Sequence, residues 1–194
     1  MKRLFFLFSL LIACVLTAVC AEKPVEYFSV GNPIKYCGDK YYFAWSSNPV
    51  DHYFVQEYLP EGETFDNYKR MFTVSVLMVN LNPVDAIKAK MAELDERKKN
   101  DPVTNYLVAE NDGDYILEFL VSDSNGDEMN CVELDIHYYS QKQIFGRKVS
   151  VLYFYSERAY GDDITPFIKS IPEKRAKLYE GMTKLDLMPK FERK

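Results

Sequence analysis

The sequence predicts an α+β fold, an antiparallel sheet of about six to seven strands covered by two main helices. Short runs rich in Tyr, Phe, Val and Thr recur along the chain with turn residues between them. Residues 82–99 carry one long apolar stripe at helical spacing, and a second such stripe lies near the C-terminus. The resulting order is a hairpin, a strand, a helix, a meander and a C-terminal helix.

Tyr41-Tyr42-Phe43-Ala44-Trp45 and Tyr53-Phe54-Val55-Gln56-Glu57-Tyr58-Leu59 form the hairpin, joined by a wide turn through Ser47-Asn48-Pro49. Glu61-Gly62-Glu63-Thr64 interrupts the strand pattern, Phe65 to Arg70 makes a helical turn capped by Thr64, and Phe72 to Val79 is a third strand. The long helix opens on Asn82 as cap, Pro83 at the first helical position and Asp85 in the first turn, where its carboxylate complements the helix dipole. Val84, Ile87, Met91 and Leu94 share its buried face, and Asn100-Asp101-Pro102 ends it. The meander follows as Val103 to Glu110, Tyr115 to Ser122 and Met129 to Tyr139. Asp112-Gly113 and Asn125-Gly126 mark its tight turns. A further strand, Val149 to Glu157, comes after the Phe145-Gly146 turn. The chain closes on helical segments begun by Thr165-Pro166 and by a capping box of Ser170 with Glu173, with Ile171, Leu178, Met182 and Leu185 facing inward.

Ahead of this domain, Lys2 and Arg3 precede an uncharged run from Leu4 to Val19, the layout of a secretory signal peptide over residues 1–21. Cleavage after Ala21 leaves a loose N-terminal segment over residues 22–32 and one domain over 33–194, in a protein that is periplasmic or secreted. The alternative reads Leu11-Ile12-Ala13-Cys14 as a lipobox, with Cys14 anchoring the chain to the membrane through lipid. Losing Lys2 and Arg3 takes the net charge from −5 to −7, which argues against nucleic acid as a partner. No second apolar run predicts an integral membrane segment after cleavage. Cys37 and Cys131 then remain as an even pair in an oxidising compartment and form the candidate disulfide; two buried thiols are the alternative.

The order of elements resembles the PsbP-like fold, the family of the photosynthetic extrinsic protein and its relatives. The segment Glu61-Gly62-Glu63-Thr64-Phe65-Asp66-Asn67-Tyr68-Lys69-Arg70-Met71 is similar to a polar turn, aromatic and methionine found before a core strand in small exported bacterial proteins. The whole chain is similar to uncharacterised exported proteins of the Bacteroides group. The resemblance implies a binding or assembly module and brings no catalytic motif with it.

Glu133, Asp135 and His137 alternate along one strand, so they project to one face where a metal or an acid/base pair would need such groups. The same alternation describes a solvated strand face opposite Val132, Leu134, Ile136 and Tyr138. His52, beside Asp51, reads as a surface turn residue. Asp123, Asn125 and Asp127 match the first positions of a calcium loop, but Glu128 stands where glycine is required and Leu134 replaces the closing acid, so no metal is expected. Arg158, Tyr160, Asp162 and Asp163 form the densest polar cluster, at the end of the last strand, and are the preferred ligand-binding candidates. The chain has no GxSxG, no HExxH and no phosphate-cradling glycine loop. The reading is therefore an exported, non-catalytic binding or assembly module for a protein or envelope component, with no cofactor. Its rivals are a small hydrolase using carboxylates and a lipid-anchored accessory protein.

Overall fold

The structure, a computed structural model, describes residues 24–192 apart from 112, 126 and 127. The signal peptide over residues 1–21, the alternative anchor at Cys14 and Asp127 of the calcium-like spacing lie outside the described residues.

Among the described residues eight strands make one sheet: β1 (Ile34–Tyr36), β2 (Asp39–Val50), β3 (Tyr53–Leu59), β4 (Arg70–Leu77), β5 (Asn105–Asn111), β6 (Asp114–Asn125), β7 (Glu128–Ile144) and β8 (Arg147–Tyr160). Their order across the sheet is β1-β2-β3-β4-β8-β7-β6-β5, and every neighbouring pair is antiparallel. Among the same residues two α-helices join it, α1 (Pro83–Arg97) between β4 and β5, and α2 (Ile164–Thr183) after β8. The expected six to seven strands covered by two helices is corrected: eight strands form a half-barrel, with 49% strand against 23% helix, so the sheet is the frame and the helices attach to it.

The extra strand was hidden by its turn. Cys37 (φ 51) and Gly38 (φ 98) both occupy the left-handed region in the two-residue loop between β1 and β2, as a type I′ hairpin requires. Cysteine is not a residue that announces such a turn, and three residues leave little strand pattern to read. β2 also runs on through Ser47-Asn48-Pro49, where the sequence predicts the turn, and the reversal falls at Asp51-His52. The Asn48 side-chain amide steadies this end by donating to the carbonyls of Val50 and Tyr53 at 2.7 and 2.8 Å.

The segment expected to be loose is docked from Val25 onward, where the Val25 carbonyl accepts from the Ser46 hydroxyl at 2.7 Å. Gln56 is wholly buried, and its Oε1 accepts from the backbone N–H of Tyr27 (2.7 Å) and Phe28 (3.1 Å) while its Nε2 donates to the Phe28 carbonyl (3.0 Å). A buried amide left unpaired is costly; here its partners come from a passing chain, which drops the Phe28 ring into the core.

Each face of the sheet carries its own core. Phe72, Val74 and Val76 of β4, Ile116 of β6, Val132, Leu134 and Ile136 of β7, and Val151, Tyr153 and Tyr155 of β8 pack on the α2 side against Ile171, Leu178 and Met182. The residues between them face the other way, where Leu117, Phe119, Tyr139 and Leu152 meet Ile87 and Leu94 of α1. Asn82 caps α1 through its side chain, which accepts from the Val84 N–H at 2.9 Å. Buried Asp101 ties off the other end, accepting from the Ser122 N–H, the Ser122 hydroxyl and Arg97. Burial alone would raise the Asp101 carboxyl, but these bonds hold it down at about 2.

The segmented C-terminal helix of the sequence reading is likewise one continuous helix. Ser170 does not cap it; its hydroxyl donates back to the Phe167 carbonyl at 2.7 Å, and the helix runs through Pro172. Packing of Phe167, Ile171 and Leu178 on the sheet outweighs the backbone bond that the proline cannot make. Glu118, 4% exposed on the sheet, accepts from the Arg175 Nε, whose single N–H is shared between its two oxygens at 3.1 and 2.9 Å, and from Nη2 at 2.8 Å, which fixes the position of α2 along β6.

Gly181 marks where α2 meets β1. A Cβ there would stand 2.8 Å from the Cys37 sulfur and 2.9 Å from the Tyr36 ring. Alanine ordinarily improves a helix by ~1 kcal/mol over glycine, whereas forcing a methyl into packed surroundings costs roughly 1–3 kcal/mol. The clash wins, so Gly181→Ala lowers the unfolding free energy by about 1 kcal/mol, read as a lower urea midpoint at unchanged m-value. A raised midpoint would show that β1 does not seat against this helix.

Candidate functional site

The register of β7 against β8 decides what the sequence candidates touch. Glu133 lies opposite Arg158, Asp135 opposite Ser156, and His137 opposite Phe154, so two clusters 20 residues and more apart in sequence become one patch on the α1 side. Each member is engaged there. The Arg158 Nε donates to Glu133, and its guanidinium lies over the Tyr68 ring at 4.1 Å. The Tyr160 hydroxyl donates to the Tyr68 carbonyl at 2.9 Å, and the Arg158 N–H donates to the Lys69 carbonyl at 2.8 Å. Arg158 and Tyr160 therefore clamp the loop that enters β4.

Asp135 is 7% exposed and accepts from the Ser156 hydroxyl at 2.6 Å. Burial first, and the neighbouring Glu133 second, push its carboxyl well above the usual range. The His137 ring sits 4.0 Å from Phe154 and 4.8 Å from Phe119, with Nδ1 3.4 Å from the Tyr139 hydroxyl. Burial among these rings, aided by Lys90, holds the imidazole well below its ordinary value, so it is neutral. The solvated-face alternative for this strand is thus corrected: α1 covers the face, and Asp135 is buried beneath it. Among the described residues no group of three or more His, Cys, Asp and Glu is placed to hold a metal.

Asp162 and Asp163 stand apart from this patch, exposed in the 3-10 turn Gly161–Asp163 that leads into α2. Asp163 faces Lys69 at 3.5 Å, and neither aspartate makes a capping bond to the helix. The candidate disulfide is absent, since Cys37 and Cys131 are free thiols. The reason is geometric. Cys37 packs on the α2 side, within 3.6 Å of the Lys177 carbonyl, whereas Cys131 pairs with Tyr160 on the α1-facing positions of β7. The sheet separates them. His52 lies exposed in the β2–β3 turn, as its sequence context indicated.

Two features escaped the sequence reading. Glu57, opposite Trp45 and Thr73 on the α1 side, is half-buried, has no ion pair among the described residues and is pushed up to about 7 by burial alone. The other is a cavity of about 490 Å³ on the α2 side, where the β4–β8 ladder meets the first turns of the helix. Lys69, Arg70, Glu157, Asp163, Phe167 and Ser170 line it. Arg70 also reaches Asp39 at 2.5 Å, and Lys174 reaches Glu157 at 2.7 Å. Asp163, and Arg158 which also lines the cavity, are sequence candidates; nothing in the linear spacing marks Lys69, Arg70, Glu157, Phe167 and Ser170, because the loop before β4, β4 itself, β8 and α2 supply them separately.

Fold and site together define an α+β protein built on one antiparallel sheet, with an open mixed-charge cavity at the strand ends. A family model matches residues 28–187, and the chain belongs to that uncharacterised family. No curated protein and no solved structure matches the chain. The described residues contain no helix long and apolar enough to cross a membrane.

Glu57 makes a direct pH prediction. The unfolded carboxyl titrates near 4.5 and the native one near 7, so between those values the native state holds a proton that the unfolded chain has released, and stability falls as pH rises. Glu57→Gln removes this slope, leaving the variant more stable than the parent at pH 8 by urea unfolding and little different at pH 4. Parallel profiles for the two proteins would mean that the carboxyl is hydrated.

Proposed function

We propose that the protein is an exported, non-catalytic binding or assembly module that takes a segment of a protein or envelope component into the cavity between the β4–β8 ladder and α2. The observation that carries this reading is the state of the charges around that cavity. Lys69 and Asp163 form an ion pair at 3.5 Å with side chains 65% and 73% exposed, and such pairs are worth about 0–1 kcal/mol. An incoming carboxylate or amine can replace either member at little cost. Phe167 supplies an apolar floor beside them, the mixture of anchor and exchangeable rim that protein interfaces use.

The neighbouring Glu133, Asp135, His137 and Arg158 support a structural role instead. Their polar atoms satisfy one another or pack under α1, and Asp135 offers no open carboxylate to a substrate. The PsbP-like resemblance agrees with a binding role but rests on element order alone. The hydrolase alternative draws on the raised carboxyls of Glu57 and Asp135.

Ser170→Trp fills the cavity from the helix surface. Capture experiments on the envelope fraction of the native host are expected to recover a partner with the parent protein and at least ~10-fold less with the variant, a loss of about 1.4 kcal/mol, at unchanged circular dichroism. Identical recovery from both would sink this location. A hydrolytic activity abolished by Asp135→Asn would favour the enzyme.

Export rests on the leader pattern of residues 1–21, and intact mass of the host-purified protein tests it. The expected chain begins at Glu22 and takes up two alkyl groups under denaturing conditions without reduction, at Cys37 and Cys131. A chain beginning at Cys14 with added acyl mass would establish the lipid-anchored form.

A further inference from the structure

The two edges of the sheet are treated differently. On one side β1 has only three residues, and the chain before it shields the outer edge of β2: Asn32 Oδ1 accepts from the Phe43 N–H at 3.2 Å and the Val25 carbonyl accepts from Ser46 at 2.7 Å. On the other side β5 pairs with β6 through seven residues and, among the described residues, has no strand on its outer flank. Exposed edges are commonly protected by lysine, proline, a bulge or short length. Asn105-Tyr-Leu-Val-Ala-Glu-Asn111 contains no lysine or proline, and its ladder with β6 runs without a register shift. Leu107 and Val108 lie on opposite faces, opposite Glu118 and Leu117, and each is 46% exposed. An uncovered apolar residue on both faces of an edge whose single charge is Glu110 is the arrangement that sheet extension buries.

We propose that β5 is a self-association site, where two copies of this chain pair antiparallel across a two-fold axis at Val108 and continue one sheet into the other. The strand itself selects the partner and the register. A two-fold axis normal to the sheet keeps every residue on its own face, so the register can move only in steps that preserve side-chain alternation. Among these, only the register centred on Val108 pairs all seven residues of both strands. Leu107 then meets Ala109 of the second copy, Tyr106 meets its Glu110, and Asn105 meets its Asn111. The single charge of the strand lies opposite a neutral tyrosine, and no like charges face each other. One step either way leaves residues at the strand ends unpaired, and in one direction it sets Val108 against Glu110.

A contact of this size is smaller than a standard interface, so sedimentation equilibrium is run on the host-purified protein from roughly 10 to 500 µM. The expected result is a rise from one chain mass to two across that range. Val108→Lys sets two ammonium groups together at the axis and is expected to stay monomeric throughout, with its circular dichroism unchanged. Val108→Cys should give a disulfide-linked dimer on a non-reducing gel, because residue 108 meets itself. Leu107→Cys should not, because it meets Ala109, and the parent protein, with Cys37 and Cys131 alone, should not. A parent chain that stays monomeric to the top of the range overturns the proposal. So does a dimer that survives Val108→Lys, or crosslinking by Leu107→Cys rather than Val108→Cys.

Discussion

The β7–β8 ladder governs the rest of the molecule. It runs unbroken from Cys131 opposite Tyr160 to Ile144 opposite Arg147, and it places both strands between β4 and β6 at the centre of the sheet. A one-residue slip would send every side chain of these two long strands to the wrong face. The turn that sets the register is Phe145-Gly146, both left-handed at φ 51 and 74. An aromatic residue in that region is strained, and the long hairpin beyond it holds it there. Because even-numbered β7 residues then serve α2 and odd-numbered ones α1, the helices have defined surfaces to meet.

The same alternation decides the chemistry of the candidate residues. Glu133, Asp135 and His137 share a face with Arg158, Ser156 and Phe154, and α1 lies over much of that face. Ionised groups in such surroundings must be paired or neutral. Glu133 is paired with Arg158, Asp135 is pushed toward its protonated form beside Ser156, and His137 is kept neutral among aromatic rings. Their concentration on one strand is therefore an internal polar network that orients the β3–β4 loop through Tyr68. The cavity on the opposite face carries the exchangeable charges, because there the ends of β4 and β8 emerge beside the first turns of α2.

Much of the architecture was legible because local patterns were strong. Asn82, Pro83 and Asp85 placed the start of α1, and Gly113, left-handed at φ 81 between β5 and β6, marked the first turn of the meander. β1 was not legible, since a three-residue strand followed by cysteine at a left-handed position has no recurring pattern. The docking of Tyr27 and Phe28 depends on Gln56, a polar residue in a strand, whose partners no local rule identifies. Arg158 and Glu133 were both singled out in the sequence, but their pairing depends on a register set more than ten residues away. Glu57 is not legible in the sequence, because a lone glutamate between Gln56 and Tyr58 looks like any exposed strand residue.

The sequence by itself determined the strand and helix content around α1 and the meander, the leader-like composition of its first 21 residues, and the acidic balance, since each is written in local spacing and residue type. Tertiary structure alone decided that Cys37 and Cys131 lie on opposite sides of the sheet, that Asp135 is buried rather than solvated, and that Lys69, Arg70, Phe167 and Ser170 share one cavity. The reason is physical: burial and charge pairing depend on which element covers which face, and that follows from long-range register and helix docking rather than from neighbours in the chain.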